Sequence, residues 1–372
     1  MNDNIKNRIT ASFLLYALGD IIGFKNSDWK LDYGKPADIG TINEFVYEFI
    51  DLGGINGIDI SDWIISADSI YHIAIAEGLS SYNDKTNKNK LSKKIIVDVK
   101  NAIINAIRRI SLDSKNGIFR YEGNTTIKQA LKFTIDHDAR QDKYTELSAG
   151  NGVASRSIPI GIMLNKESEL NKLIETSITL GSLTHNSPLG YLPGFTVSYF
   201  ASLALQGVEI YKWPQMMLNI LESEQITKHI DISDSQLNFS YMDYVRYWKK
   251  YVDTRFIDDK PIKTRSTSNL IFRTKYYYEN FVKGTRAGGI GVSGFAAAII
   301  AYDALLDCDG IWEKVVFYAI LNPSDSNTVG AICGGLFGLV YGFGDVPEHM
   351  LTNIEEKDKL TELSKLYYKK FK

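Results

Sequence analysis

The chain is poor in cysteine and proline, with two and eight in 372 residues, and neither sign of charge dominates: 42 Lys and Arg face 44 Asp and Glu, a net charge of −2. Each scarcity excludes something. Cys308 and Cys333 supply neither a disulfide framework nor a CxxC zinc site, so a reducing, cytoplasmic setting is expected. Without a basic excess there is no face for non-specific nucleic-acid or anionic-membrane binding, and no partner of either kind is expected. Long hydrophobic runs are also missing. The longest weakly polar stretch, 329–343, is shorter than the ~20 residues of a membrane span and rich in glycine. The polar opening MNDNIKNRIT, followed by an apolar run broken at Gly19 and Asp20, argues against a secretion signal. The five histidines include no HExxH spacing, and clear alternating strands and Pro/Gly/Ser-rich linkers are scarce.

What is present is helical periodicity. Ile5, Ile9 and Phe13 recur every four residues, thickened by Leu14 and Leu18, and Gly19 is expected to end this first helix. Ser66 to Ser80 repeats the pattern with Ser66 and Ser69 as candidate caps. Behind the hydrophilic stretch 82–94, Ile95, Val99, Ile103, Ile107 and Ile110 restore it for about four turns. Further helical patterns cover 125–133, 167–180, 190–205, 241–256, 296–306, 311–320 and 355–368, and 228–237 reads as a surface connection. Gly330, Gly334, Gly338 and Gly342 recur on one apolar helix, which in a chain without membrane spans means close helix packing. The expectation is an all-α, single-domain bundle spanning residues 1–372, and a monomer.

Four segments place glycine, hydroxyl or carboxylate side chains where a loop runs into a helix: Leu18-Gly19-Asp20-Ile21-Ile22-Gly23, Ser66-Ala67-Asp68-Ser69, Gly150 to Arg156, and Asn322 to Thr328. Unpaired N–H groups at a helix start attract phosphate, but they equally attract ordinary Asp and Ser caps. Singly, each segment reads as capping or turn chemistry.

In order, they resemble the ADP-ribosylglycohydrolase family, most closely its ADP-ribosylarginine hydrolase branch. Ala11 to Phe24 resembles the family's opening helix and Gly-Asp-Ala-Leu-Gly turn, with Trp29 following. Ser66-Ala67-Asp68-Ser69, with His72 and Ala76-Glu77 behind it, is similar to the Ser-Asp-Asp-Thr motif. Gly150 to Arg156 with Pro159, Ile160 and Gly161 resembles the glycine-rich distal loop, Leu183 to Pro188 the Thr-His-x-x-Pro turn, and 300–306 with 324–342 the C-terminal catalytic region. The resemblance implies an orthogonal helical bundle around one cleft, two Mg²⁺ ions at its base, and hydrolysis of the bond joining ADP-ribose to a protein side chain.

Matched position by position, the metal-binding motifs of that family fall on Ser66, Ala67 and Asp68 and on Ser324, Ser326 and Asn327, so three of four carboxylates are replaced. Magnesium needs hard oxygen ligands whose charge balances its own, and neutral Ser and Asn oxygens do not supply that charge. The expectation is therefore no cofactor and no dinuclear site, with Mg²⁺ only if the weak candidate pair Asp68 and Asp325 holds a non-standard site. Asp20 and Asp303 are expected as helix or turn partners. Phe295 and Ala296 stand where the branch carries a His-Asp pair. The segments expected to hold ADP-ribose are better kept: Gly123-Asn124-Thr125 for a diphosphate, Gly150-Asn151-Gly152 and Ser155 for the distal ribose, and Arg286-Ala287-Gly288-Gly289 as a cover. The same glycines would also suit plain loop geometry. Three readings follow: a pseudoenzyme that binds ADP-ribose or an ADP-ribosylated protein, a surviving Mg-dependent ADP-ribosyl-arginine hydrolase, or an interaction scaffold whose cleft Phe295 fills.

Overall fold

Tight packing between two glycine-bearing helices sets the architecture. The structure is a computed structural model that describes residues 2–29, 39–82, 91–134, 136–267, 269–283 and 288–371. The first helix, Asn2–Phe24, lies against the helix Ser326–Tyr341. A Cβ on Gly19 would sit 2.2 Å from the Gly330 carbonyl oxygen, one on Gly334 2.2 Å from that of Leu15, and one on Gly338 2.4 Å from the Ser12 nitrogen. The backbones touch because nothing projects between them. This corrects the expectation for Gly19: it does not end the helix, which runs one more turn to Phe24, because its missing side chain serves close approach and not chain reversal. Gly342, by contrast, is not part of the seam; it closes the second helix at φ +70°.

The remaining helices wrap this pair. Ala67–Gly78 is capped by Ser66, whose Oγ accepts from the Asp68 backbone N–H, and it packs on Lys93–Lys115, capped by Ser92. Asn124–Ala130, Leu170–Gly181, Pro188–Gln206, Gly294–Asp307 and Lys357–Phe371 stand where periodicity placed them, with ends moved by a few residues. The 311–320 pattern becomes Trp312–Val315 followed by a wider turn over Val316–Ile320. The stretch 228–237 is not wholly a connection, since Asp234 caps a helix that begins at Ser235 and runs to Arg255. Ile39–Asp51 and Leu270–Phe281 are helices that the reading above did not include. The described strands are two residues each, Phe256–Ile257 paired antiparallel with Lys260–Pro261. One continuous apolar core joins these elements, and no described helix is long and apolar enough to cross a membrane.

Within the core lies a buried ion cluster. Arg255 Nε donates to Asp303 Oδ1 at 2.7 Å and its Nη2 to Asp307 Oδ2 at 2.8 Å; Arg273 donates to both carboxylates as well. Tyr251 and Tyr277 each donate to Asp303 at 2.8 Å. Burial opposes the Asp303 charge, but the two guanidiniums outweigh it and hold the carboxyl below its ordinary range. Asp303, expected as a helix or turn partner, is instead the centre of an ion cluster that ties Ser235–Arg255 and Leu270–Phe281 to its own helix.

Candidate functional site

Close packing at Gly19 and Gly23 delivers Asp20, one turn of the first helix, to the start of two others. Asp20 is fully buried. Its Oδ1 accepts from Ser66 Oγ at 2.6 Å, and its Oδ2 accepts from Ser66 N at 2.9 Å and Ser69 Oγ at 2.5 Å. The Ser326–Tyr341 helix adds Asn327, whose Nδ2 donates to Asp20 Oδ1 at 3.2 Å, Ser66 Oγ at 3.1 Å and Asp68 Oδ2 at 3.1 Å. Thr328 Oγ1 donates to Asp68 Oδ2 at 2.5 Å, and Ser155 Oγ to Asp68 Oδ1 at 2.9 Å. Only nitrogen of the Asn327 amide fits this position. Both carboxylates are acceptors, and the Ser66 hydroxyl has given its proton to Asp20, so the amide oxygen would meet three acceptors. The floor is therefore a small acid cluster tied by amide and hydroxyl hydrogens.

Its electrostatics follow from that composition. Burial, with Asp68 as a second negative charge nearby, raises the Asp20 carboxyl to about 6, against the opposing hydrogen bonds of Ser66 and Ser69. The buried cation of the neighbourhood is Arg156, which burial lowers to about 10 while Tyr71 and Asp68 oppose the shift. It donates to Thr126 Oγ1 at 3.2 Å and to Thr184 Oγ1, tying the segment after Gly123 to the Thr184-His185 turn. His72, stacked on Tyr16 at 3.8 Å, and His185, bonded to Thr184 at 2.8 Å, are each lowered to about 3 by burial and stay neutral.

A second layer connects the loops above the floor. Asn151 Nδ2 donates to Asp325 Oδ2 at 2.6 Å and to the Gly291 carbonyl at 2.8 Å. Backbone bridges join Gly150 to Ser293 and Ile290 to Ser324. The segment from Gly289 to Ser293 thus joins the Gly150 loop to the start of the Ser326–Tyr341 helix. Gly289 packs closely there, since a Cβ would lie 2.1 Å from Ser324 Oγ and the serine would have to move. Gly150, Asn151, Gly152, Asp68, Thr125 and Gly288 are half-buried, and Gly123 and Asn124 are exposed. Of the predicted cover, Gly288 and Gly289 are placed here, whereas Arg286 and Ala287 lie outside the described residues. Phe295 packs on Tyr247 of the Ser235–Arg255 helix, with ring centroids 3.9 Å apart.

The structure corrects the position-by-position match at the C-terminal motif. Ser326 Oγ donates to the Gly23 carbonyl at 2.8 Å, inside the helix seam, and Ser324, at φ +117°, pairs its backbone with Ile290. The side chains directed at the site are those of Asp325, Asn327 and Thr328. The Asp-x-Asp-Ser/Thr pattern that the resemblance implies therefore fits Asp325-Ser326-Asn327-Thr328, one residue later than the match read from sequence. On that placement Ala67 and Asn327 stand where the pattern has carboxylates, and Asp68 and Asp325 keep theirs. Asp20 is also reassigned: it is the centre of the floor and not a plain helix partner. Asp20, Thr328 and the cationic role of Arg156 were missed in the sequence. The signal for Thr328 was its place two residues before Gly330, the glycine that meets Gly19.

The ADP-ribosylglycohydrolase family model matches residues 1–372. A protein of Acanthamoeba polyphaga mimivirus named as an ADP-ribosyl glycohydrolase is 31% identical over 367 residues, covering 96% of this chain and 69% of its own. ADP-ribosylhydrolase ARH1 of Dictyostelium discoideum is 28% identical over 391 residues, covering 97% and 93%. Among solved structures, an ADP-ribosylglycohydrolase-related protein complex shares the fold with a TM-score of 0.57 at 15% identity, over 99% of both chains.

Proposed function

This chain belongs to the ADP-ribosylglycohydrolase family, and we propose that within it the protein binds ADP-ribose or an ADP-ribosylated protein at the Asp68 cleft without the di-magnesium hydrolysis its resemblance implies. The observation that carries the reading is the Asn327 amide among Asp20, Ser66 and Asp68. A magnesium ion takes hard oxygen donors at about 2.0–2.1 Å and favours carboxylates that balance its charge. Here Asn327 turns hydrogens toward the shared oxygens, and Ala67 offers no oxygen from its side chain. Two adjacent dications would repel each other across a site that has lost two of its four motif carboxylates. The residues present do not fit the pair of ions, and no reaction step is derived through them.

The binding half of the reading rests on the Gly150 loop. Asn151 and Ser155 hold Asp325 and Asp68 from one short segment, so the Gly150-Asn151-Gly152 loop is fixed in place before any ligand arrives. Backbone donors in the exposed to half-buried segment Gly123-Asn124-Thr125 suit a diphosphate. Retention of Asp68, Asp325 and Thr328 favours one competitor, a hydrolase of ADP-ribosyl-arginine working with a single ion.

Both readings face the same assay: incubation with an arginine-ADP-ribosylated protein over a magnesium titration. The proposal expects no ADP-ribose released at any concentration, and expects Ala67→Asp combined with Asn327→Asp to create magnesium-dependent release. Turnover by the unaltered chain would overturn it.

A further inference from the structure

We infer that Asn327 is a built-in substitute for a cation, and that one substitution there exposes a latent divalent-metal site. The inference deepens the proposed function and rests on its reading of the floor. Asp20 Oδ1 and Asp68 Oδ2 lie 3.2 and 3.1 Å from one nitrogen, and two carboxylates brought that close normally require a positive charge or a set of donors between them. The Asn327 amide is that set. Its two N–H groups serve three oxygens from two helices: Asp20 on the first, and Ser66 and Asp68 at the cap and first turn of Ala67–Gly78. Its Oδ1 is buried and has no hydrogen-bond partner among the described residues. An amide whose nitrogen is fully engaged while its oxygen is left unbonded is oriented by the acids and not by its own needs. Thr328 reinforces the arrangement from the next position by donating to Asp68 Oδ2.

Converting Asn327 to Asp exchanges donors for a third carboxylate without changing side-chain size. In EDTA, Asp20, Asp68 and the new acid then repel one another without the amide that bridged the first two. A divalent cation entering among them supplies the lost attraction, with Asp68, Asp20, the new carboxylate and the Ser66 oxygen as candidate donors. The substitute thus turns into a metal ligand through exchange of its NH₂ group for a charged oxygen.

The experiment is thermal unfolding of the full chain, its Asn327→Asp variant and its Asn327→Ala variant, each in EDTA, MgCl₂ and MnCl₂. Asn327→Asp is expected to melt well below the parent in EDTA and to regain about 3 °C or more with saturating Mg²⁺ or Mn²⁺. The parent and Asn327→Ala are expected to show no saturable response, with Asn327→Ala lowered in every buffer. Asn327→Asp that matches the parent in EDTA, or that ignores both cations, overturns the inference while leaving the proposed function standing. A saturable response of the parent itself overturns the proposed function as well. Should Asn327→Asp fail to fold in EDTA, refolding on addition of Mn²⁺ supports the inference, and failure in both buffers contradicts it.

Discussion

Two buried acid clusters in this molecule solve the same problem in different ways. At Asp303 and Asp307, two arginines and two tyrosines surround the carboxylates, and Asp303 is held below its ordinary range. At Asp20 and Asp68 the partners are three serines, a threonine and an amide, and Asp20 is raised to about 6. Neutral donors satisfy hydrogen-bonding capacity, but they do not cancel charge. The ion cluster is complete as it stands and belongs to the architecture. The floor cluster gathers neutral donors around its two carboxylates and reaches half-buried Asp68, a composition that suits a site.

The largest effect tests the first half of that contrast. Arg273→Met removes one guanidinium from two buried carboxylates and is expected to cost about 3–5 kcal/mol in chemical denaturation. A loss near 1 kcal/mol would mean that Arg255 neutralises the cluster alone.

Titration tests the second half. Because the folded protein binds the Asp20 proton more tightly than the unfolded chain does, its contribution is fully present below about pH 4 and is lost as pH rises to about 6. Asp20→Asn removes this dependence, so its stability relative to the parent should improve by about 3 kcal/mol between pH 4 and pH 7, whatever constant cost the new amide brings. A pH-independent difference would place Asp20 in an ordinary environment. His72 and His185 act in the opposite sense in both proteins, since each is lowered to about 3 and its contribution is lost as pH falls below about 6.5. They cancel in the difference.

Smaller effects separate the residues at the start of the second glycine-bearing helix. Thr328→Val deletes a donor to Asp68 and should cost about 1.5–3 kcal/mol. Ser326→Ala loses only the bond to the Gly23 carbonyl and should cost about 1 kcal/mol. Equal costs of the two would return the motif to the alignment read from sequence.

That alignment shows what the sequence could and could not reveal. Helix positions were legible where apolar residues repeat at turn spacing, as at Ile95 to Ile110, and the Ser66 cap was legible from its place before that periodicity. Ile39–Asp51 carries a comparable stripe of Ile42, Phe45 and Phe49 and was simply passed over. Gly19 was misread because a glycine that permits contact between helices and one that ends a helix look the same in a single chain. The one-residue error at Asp325 has a related cause: Ser324, Asp325, Ser326 and Asn327 are all small and polar, so nothing local fixes the helix phase. Phase is set at a distance, by the fit of Gly330 against Gly19. The role of Asn327 was beyond reach for the same reason, since its three acceptors lie some 260 to 310 positions earlier in the chain.

The account turns on a floor assembled by hydrogen bonds alone, so the most direct measurement is calorimetric titration of ADP-ribose into the protein in EDTA and again in MgCl₂. It predicts binding with the same affinity in both buffers. Affinity that appears only with magnesium, or rises severalfold with it, would contradict it.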